Sequence, residues 1–123
     1  MLVQGSVRVL LIDADAFFAS ACASRLEAEG FSVVCEGGSD RGFETALRER
    51  PDTILLGAEH ASLLDRLKRA PEFVRVPVVV LAERPCAEEA ERCLRTGART
   101  YLVKTHLVAD DVARTLRDLL GLN

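Results

Sequence analysis

The sequence predicts an α/β fold in which five parallel strands form a doubly wound sheet with helices on both faces. Three observations predict it. Short aliphatic and β-branched runs alternate with segments in which apolar residues recur every three to four positions. The alternation is strict over five strands and five helices, which requires right-handed crossovers and a parallel sheet. The 123 residues suit one domain, predicted over residues 1–123 with its core from about 7 to 120.

Each predicted strand is a short apolar run without an internal turn residue, as is typical of strands buried on both faces of a parallel sheet. Residues that break regular structure flank these runs. Asp13 follows the first run, the pair Gly37 and Gly38 follows the second, and Pro51 precedes the third. The five predicted strands are residues 7–12, 31–35, 53–56, 77–81 and 100–103.

The five segments between and after these strands have helical spacing. In the first, Phe18, Cys22 and Leu26 recur every four residues, and Gly30 stands where a helix ends. The later helices are residues 39 or 40 to about 49, about 61–70, about 87–96 and about 109–120.

The second helix has two further predicted features. Ser39 or Asp40 is predicted to cap its amino end. Phe43, Ala46 and Leu47 are predicted to face inward.

Composition and charge exclude several classes of function. The net charge of −3 provides no overall attraction to nucleic acid or to an anionic membrane, so neither is an expected partner. The sequence has no apolar run of about 18 residues and no leader pattern, so we expect a cytoplasmic protein without a membrane span. Its four cysteines match no zinc-site spacing and are predicted to be reduced thiols.

The motifs of nucleotide-binding proteins and hydrolases are missing. The loop after the first strand, DADAFFAS, contains no glycine and cannot form a dinucleotide-binding turn. No phosphate-binding loop and no G-x-S-x-G elbow occurs. His60 and His106 fall in predicted loops without a nucleophile partner and are expected to be solvated. The sequence therefore predicts no catalytic residue, no metal site and no enzyme activity.

The informative positions are those directly after the strands, because ligands of doubly wound sheets bind beyond the carboxyl ends of the strands. Asp13 and Asp15 follow the first strand, and Lys104 follows the fifth. Two carboxylates suit Mg²⁺, and a nearby lysine suits a phosphoryl oxygen. Phosphoryl transfer also needs an acceptor, which is missing, and an ordinary ion pair between Asp13 and Lys104 is the alternative.

Five pieces of sequence, in this order and at these intervals, resemble the receiver domain of two-component response regulators. The pieces are RVLLIDAD, LEAEGFSVV, RPDTILL, VPVVVLAE and GARTYLVK. The resemblance covers residues from about 7 to 120. It implies a flavodoxin-like (βα)5 three-layer sandwich, in agreement with the alternation of elements.

The resemblance also implies a phosphorylation pocket, but the residues of this chain depart from it. Receivers use an acidic pair for Mg²⁺, an acceptor aspartate after strand three, a hydroxyl after strand four and a lysine after strand five. Asp13 and Lys104 match that pattern, whereas Ala14 replaces the second acid, Gly57 the acceptor and Ala82 the hydroxyl. Because glycine has no nucleophile, the resemblance implies a degenerate receiver.

Loss of these groups leads to three expectations about the pocket. Asp13 and Lys104 should contact each other directly, and no cofactor is expected, since Asp13 alone would bind Mg²⁺ weakly. Asp15 either turns into the pocket or caps helix one. Glu59 either brings a permanent negative charge near Lys104 or stays solvated.

The resulting functional prediction is a pseudo-receiver, a phosphorylation-independent module for protein interaction and regulation in signalling. A receiver with a displaced phosphoacceptor and a small-ligand sensor using the vacated pocket are the alternatives. The family commonly binds partners or forms homodimers through helix four, strand five and helix five, and arginines there suit an acidic protein patch. The residues predicted on this face are Tyr101, Arg92, Arg95, Arg99, Arg114 and Arg117.

Overall fold

Five parallel strands form the centre of the molecule, as a computed structural model shows for residues 6–108 and 110–122. The strands are β1 (Arg8–Ile12), β2 (Ser32–Glu36), β3 (Thr53–Gly57), β4 (Val78–Ala82) and β5 (Thr100–Val103). They lie in the order β2-β1-β3-β4-β5, and every neighbouring pair is parallel. This order confirms the predicted doubly wound sheet.

Five helices cover the two faces of this sheet. They are α1 (Ala16–Ala28), α2 (Ser39–Glu49), α3 (Ala61–Arg69), α4 (Ala87–Thr96) and α5 (Asp111–Leu120). Short 3-10 turns, Ala58–His60 and Lys104–His106, follow β3 and β5. The result is the flavodoxin-like three-layer sandwich predicted from the sequence.

Alternating side chains of the central strands divide the core into two halves. Leu10 and Leu56 point toward α2, α3 and α4, whereas Leu11 and Leu55 point toward α1 and α5. All four are fully buried, and each contributes roughly 1.5–3 kcal/mol from burial. Packing on both faces therefore holds the carboxyl ends of β1 and β3 in fixed positions.

Two local predictions about α2 are wrong. Its N-cap is Gly38, and no side chain caps the helix, because the Ser39 hydroxyl instead pairs with Nδ1 of His60 at 2.8 Å. Leu47 is 42% exposed rather than inward. Gly42, Thr45 and Ala46 make the buried face of the helix. Leu47 is one residue beyond Ala46 and is therefore rotated out of that face.

The other element boundaries agree with the prediction to within two residues. Helix α5 begins at Asp111, and Ala109, the predicted first residue, lies outside the described residues. All four cysteines are free thiols. Within the described ranges, no helix combines the length and the apolar character needed to cross a membrane.

Candidate functional site

The predicted pocket residues lie at one edge of the sheet. Asp13 and Ala14 directly follow β1, Gly57 ends β3, Ala82 ends β4, and Lys104 follows β5. Because β1, β3, β4 and β5 are consecutive parallel neighbours, their carboxyl ends meet at the same edge. The fold therefore brings together residues that are up to 91 positions apart in sequence (104 − 13).

A buried ion pair occupies the centre of this edge. Lys104 Nζ lies 2.8 Å from Asp13 Oδ2, and the two side chains are 7% and 0% exposed. The ammonium approaches Oδ2 away from the direction of a good hydrogen bond, so the contact is mainly electrostatic. The other oxygen, Oδ1, accepts the backbone N–H of Asp15 at 2.8 Å. The predicted direct contact between Asp13 and Lys104 is confirmed.

Lys104 has two further neighbours that the sequence analysis missed. Its ammonium donates a 2.8 Å hydrogen bond to Oε2 of Glu83 and lies 4.2 Å from the centre of the Phe18 ring. Glu83 directly follows β4, the strand beside β5, so its position in the sequence is the signal that could have identified it. Phe18 was predicted only as a core residue of helix one.

The two charges of the buried pair respond differently to their surroundings. Burial raises the pKa of the Asp13 carboxyl, and the nearby ammonium of Lys104 offsets that effect only in part. Burial alone would lower the pKa of Lys104, but its contacts with Asp13 and Glu83 outweigh burial and raise it. Lys104 therefore remains positively charged at neutral pH, with two carboxylates as partners.

The Glu59 carboxylate fills the space beside Gly57. Its Oε2 accepts the backbone N–H of Ala14 at 2.7 Å. A Cβ atom placed on Gly57 would lie 2.6 Å from Oε1 and 2.7 Å from Oε2 of Glu59, closer than two such atoms can approach. Of the two alternatives left open for Glu59, a charge that acts on Lys104 is present, although 38% of the side chain stays exposed to solvent.

Glu59 keeps its negative charge in this position. Burial would raise the pKa of its carboxyl, but the backbone N–H groups of Ala14 and of Glu59 itself outweigh burial. The positive charge of Lys104 adds to the lowering, and the net result is a lowered pKa. The pocket thus contains a permanent carboxylate where a side chain at position 57 would begin.

Asp15 and His60 support the rim of the pocket. Asp15 caps α1, since its Oδ1 accepts the N–H of Phe18 at 3.0 Å, and it does not replace the missing acid. The His60 side chain is only 11% exposed and contacts the Ser39 hydroxyl at 2.8 Å and the Gly37 carbonyl at 3.1 Å. The prediction of a solvated histidine is wrong, because His60 connects the loop before α2 to the turn that contains Glu59.

The donor atoms at this edge do not fit a Mg²⁺ ion of the kind that receivers bind. Ala14 and Gly57 have no side-chain ligand atoms. Asp13 Oδ1 already accepts a hydrogen bond, and Oδ2 faces the ammonium of Lys104, which would repel a cation. In the described ranges, no three histidine, cysteine or acidic side chains are grouped so that they could hold a metal.

The vacated corner of the pocket is not open at Gly57, because Glu59 occupies it. A cleft of about 360 Å³ that contacts Lys104 lies instead between α1 and α5. Its walls are mostly apolar and include Phe18, Cys22, Leu26 and Val112. The small-ligand alternative therefore has no space beside Gly57, where the sequence placed it.

Tyr101 and four of the predicted arginines lie on the face made by α4, β5 and α5. Tyr101 is half-buried, and its hydroxyl donates a 2.5 Å hydrogen bond to Oε1 of Glu89 in α4. Burial and this carboxylate raise the pKa of Tyr101. All four arginines, Arg92, Arg95, Arg99 and Arg114, are exposed, and Arg99 lies directly before β5, where this face meets the amino edge of the sheet.

Arg117 does not belong to that face. It forms an ion pair with Glu29, which follows α1, and its guanidinium lies 5.9 Å from the centre of the Phe31 ring. The reason is helical geometry, since position 117 is turned toward the packed contact between α1 and α5. Arg117 therefore stabilises that contact, and its predicted place on the interaction face is wrong.

Comparisons with known proteins agree with this architecture. No protein-family model matches the chain. The phosphate regulon transcriptional regulatory protein PhoB of Rhizobium meliloti is 38% identical over 95 residues, which cover 72% of this chain and 41% of PhoB. The chain thus spans less than half the length of such curated relatives.

Solved structures share the fold along nearly the whole chain. A response regulator from Desulfuromonas acetoxidans superposes with a TM-score of 0.84 at 25% identity, covering 93% of this chain and 96% of the other. An atypical orphan response regulator, described as revealing a phosphorylation-independent regulatory mechanism, superposes with a TM-score of 0.80 at 20% identity, covering 90% and 92%. Together, these relatives and the shared flavodoxin-like fold support the assignment of the chain to the receiver domains of response regulators in two-component signalling.

Proposed function

We propose that this receiver works without phosphorylation, as a module for protein interaction and regulation in two-component signalling. One observation carries the proposal: the Glu59 carboxylate fills the space at Gly57 and accepts the N–H of Ala14. In the receiver family, an aspartate at the position of Gly57 takes the phosphoryl group. In this chain, a neighbouring residue supplies a negative charge there permanently.

The chemistry of the pocket argues against phosphoryl transfer. Gly57 has no nucleophile, and Ala14 has no carboxylate for Mg²⁺. The Glu59 carboxylate already accepts a backbone hydrogen bond, and its lowered pKa means that it is ionised at neutral pH. The proposal therefore assigns no catalytic residue and no cofactor to the chain.

Carboxylate oxygens already occupy the ammonium of Lys104, in place of the oxygens of a phosphoryl group. In the family, this lysine binds a phosphoryl oxygen. Here its ammonium lies 2.8 Å from carboxylate oxygens of both Asp13 and Glu83. Asp13 is fully buried, so a third anion that separated it from Lys104 would break a costly buried ion pair, whereas the Glu83 side chain is 64% exposed and its pair exchanges at little cost.

One structural neighbour lends support from outside the chain. The atypical orphan regulator with the same fold is described as using a phosphorylation-independent mechanism. At 20% identity it shows only that the receiver fold can serve this kind of regulation.

A receiver that cannot be phosphorylated has to act through its surface, and the face of α4, β5 and α5 is the proposed site for a protein partner or a second copy. Arg95 and Arg114 are exposed there, and each forms an ion pair with an acid of its own helix. Such pairs contribute little, so the arginines can exchange them for a partner's carboxylates. Analytical ultracentrifugation of wild type and Arg95→Glu/Arg114→Glu tests self-association. If both proteins show the same distribution of species, the proposal of a homodimer through this face is wrong.

Incubation with acetyl phosphate and Mg²⁺, followed by intact-mass measurement, tests phosphorylation independence. We expect no phosphate adduct, while a receiver that keeps the acceptor aspartate gains one in a parallel reaction. A single adduct that is labile to hydroxylamine would contradict the proposal. If that adduct is lost in Glu59→Gln, the alternative of a displaced phosphoacceptor at Glu59 is correct.

A further inference from the structure

Three arginines lie at the edge of the sheet opposite to the Asp13–Lys104 pair. Arg50, Arg75 and Arg99 each come shortly before a strand, namely β3, β4 and β5. These strands are parallel neighbours, and adjacent strands are about 4.8 Å apart, so the three arginines border one short stretch of the amino edge. All three are exposed.

None of these three arginines is neutralised by an ion pair within the described ranges. Of the nearby acids, Glu49 pairs with Arg8 and with Arg48, and Asp52 accepts the backbone N–H of Arg8. Glu72 lines the same groove as Arg50 and forms no ion pair with these arginines in the described ranges. Among residues 6–108 and 110–122, the ion pairs found include no pair of Arg50, Arg75 or Arg99. The arginine edge, defined by these three residues, therefore carries three positive charges that no ion pair found in the described ranges neutralises.

Arg50 has a backbone conformation that costs conformational energy. It ends α2 with φ 50° and ψ 65°, in the left-handed region, and it is the one non-glycine residue with positive φ in the part of the chain described. Glycine is the usual residue at such a position, because a Cβ atom is unfavourable there. Strained backbone of this kind occurs most often at functional sites, which directs attention to the Arg50 side chain.

An apolar groove of about 180 Å³ adjoins Arg50. Leu47, Phe73 and Val76 contribute to its walls, and Glu72 provides an acid on its rim. Val74, in the same turn as Phe73, is 57% exposed. The groove can therefore receive an apolar side chain while the neighbouring arginines bind carboxylates.

The positive charges at this edge belong to arginines, and arginine favours particular anions. The two lysines of the chain are occupied: Lys104 in the buried pair, and Lys68 by the carbonyls of Phe73 at 3.1 Å and Val76 at 2.7 Å. Exposed positive charge is thus carried by arginine. The guanidinium group is a planar fork that binds carboxylates through two hydrogen bonds, and it keeps its charge at all physiological pH values.

We propose that the arginine edge and its groove dock an extended acidic protein segment that carries one apolar anchor residue. An extended segment places the side chains of alternate residues on one side, about 6.6 Å apart. Arginines rooted on strand ends about 4.8 Å apart can reach that spacing because their side chains are long and exposed. A long polyanion is the weaker choice, because the net charge of −3 would oppose its approach. The proposal rests on the proposed function only in that the chain acts by surface contact.

Binding of a defined probe to the full chain tests this proposal. The probe is a fluorescein-labelled peptide with a central leucine flanked by alternating aspartate and serine, and the control peptide has asparagine in place of aspartate. Fluorescence anisotropy should show binding of the first peptide only, weakened by added salt. Arg75→Glu/Arg99→Glu should weaken it about ten-fold, whereas Arg41→Glu/Arg84→Glu, with the same change in charge, should stay within about two-fold.

Arg50→Gly provides a readout that loss of folding cannot imitate. Glycine removes the left-handed strain, so this variant should be at least as stable as wild type in urea and yet bind the acidic peptide several-fold more weakly. Equal weakening in both double variants, or unchanged binding by Arg50→Gly, would overturn the proposal. So would binding to phosphatidylserine vesicles or duplex DNA with no binding to the peptide. Because the probe contains no phosphoryl donor, the result is independent of the acetyl phosphate experiment.

Discussion

The effect of Gly57→Ala on stability should depend on Glu59. The substitution should destabilise the protein when Glu59 is present and stabilise it when Glu59 is replaced by alanine. The backbone of Gly57, with φ −59° and ψ 140°, is one that alanine adopts freely. The added Cβ would lie 2.6 Å and 2.7 Å from the two carboxylate oxygens of Glu59. The backbone therefore accepts the substitution, whereas the Glu59 carboxylate has to leave its position.

Two opposing contributions determine the magnitude. Glycine to alanine at a compatible position stabilises by about 0.4–1 kcal/mol, because it restricts the unfolded chain. Displacing Glu59 breaks its hydrogen bond from the Ala14 N–H, and bonds to charged groups contribute about 1.5–3 kcal/mol. Since the Glu59 side chain is 38% exposed and water replaces part of that bond, about 1.5 kcal/mol is appropriate. Gly57→Ala should thus destabilise the wild type by about 0.5–1 kcal/mol.

Urea unfolding followed by circular dichroism measures this effect in a double-mutant cycle. In the Glu59→Ala background the carboxylate is gone, so Gly57→Ala should stabilise by about 0.4–1 kcal/mol. The coupling energy between the two positions should be about 1.5 kcal/mol. Equal stabilisation by Gly57→Ala in both backgrounds would refute the occupation of this space by Glu59.

Three further predictions concern the charged groups of the site and its neighbouring face. Lys104→Met leaves the buried Asp13 carboxylate without its main partner and should cost about 3–5 kcal/mol of unfolding free energy at pH 7. Because the pKa of Asp13 is raised, this loss should become smaller toward acidic pH, and urea titrations at pH 7 and 5 measure the difference. Because the pKa of Glu59 is lowered from its ordinary value of 4.5, its contribution to stability is complete above that value and is lost as pH falls through the lowered pKa. Glu59→Gln should therefore cost about 1 kcal/mol at pH 7 and progressively less in acid, and a cost that does not change with pH would contradict the account. Tyr101→Phe removes the hydrogen bond to Glu89 and should cost about 1 kcal/mol in thermal unfolding, and no shift in Tm would show that the bond contributes nothing.

The fold was predictable because its signals are local. Each strand contains a short run of apolar residues, and α4 was predicted with its observed bounds because Gly97 directly follows its last periodic residue. The capping of α2 was not predictable in the same way. Ser39 is a good capping residue by type, but His60, 21 positions later, takes its hydroxyl.

The pocket was only partly predictable, because its groups interact across distant parts of the chain. Asp13 and Lys104 were found from their positions after β1 and β5, which topology brings to one edge. Glu83 was missed, although it follows the neighbouring strand. The position of the Glu59 carboxylate depends on the space that Gly57 leaves open, and hydrophobic periodicity in the sequence gives no information about that space.

Exposure and orientation around a helix were the least predictable features. Arg117 was assigned to the interaction face from its place in α5, but its ion pair with Glu29 follows from how α5 packs on α1. Arg50 reads as an ordinary helix end before Pro51, and its positive φ appears only in the structure.

The proton–nitrogen NMR spectrum of the chain, recorded with and without beryllofluoride and Mg²⁺, tests the central claim most directly. Beryllofluoride mimics the phosphoryl group of an activated receiver. Because Glu59 fills the acceptor space and Lys104 is paired with Asp13 and Glu83, the account predicts unchanged backbone amide signals at Ala14, Glu59 and Lys104. Saturable shifts of these signals, spreading to Tyr101, would show that the pocket still responds to a phosphoryl group and would contradict the account.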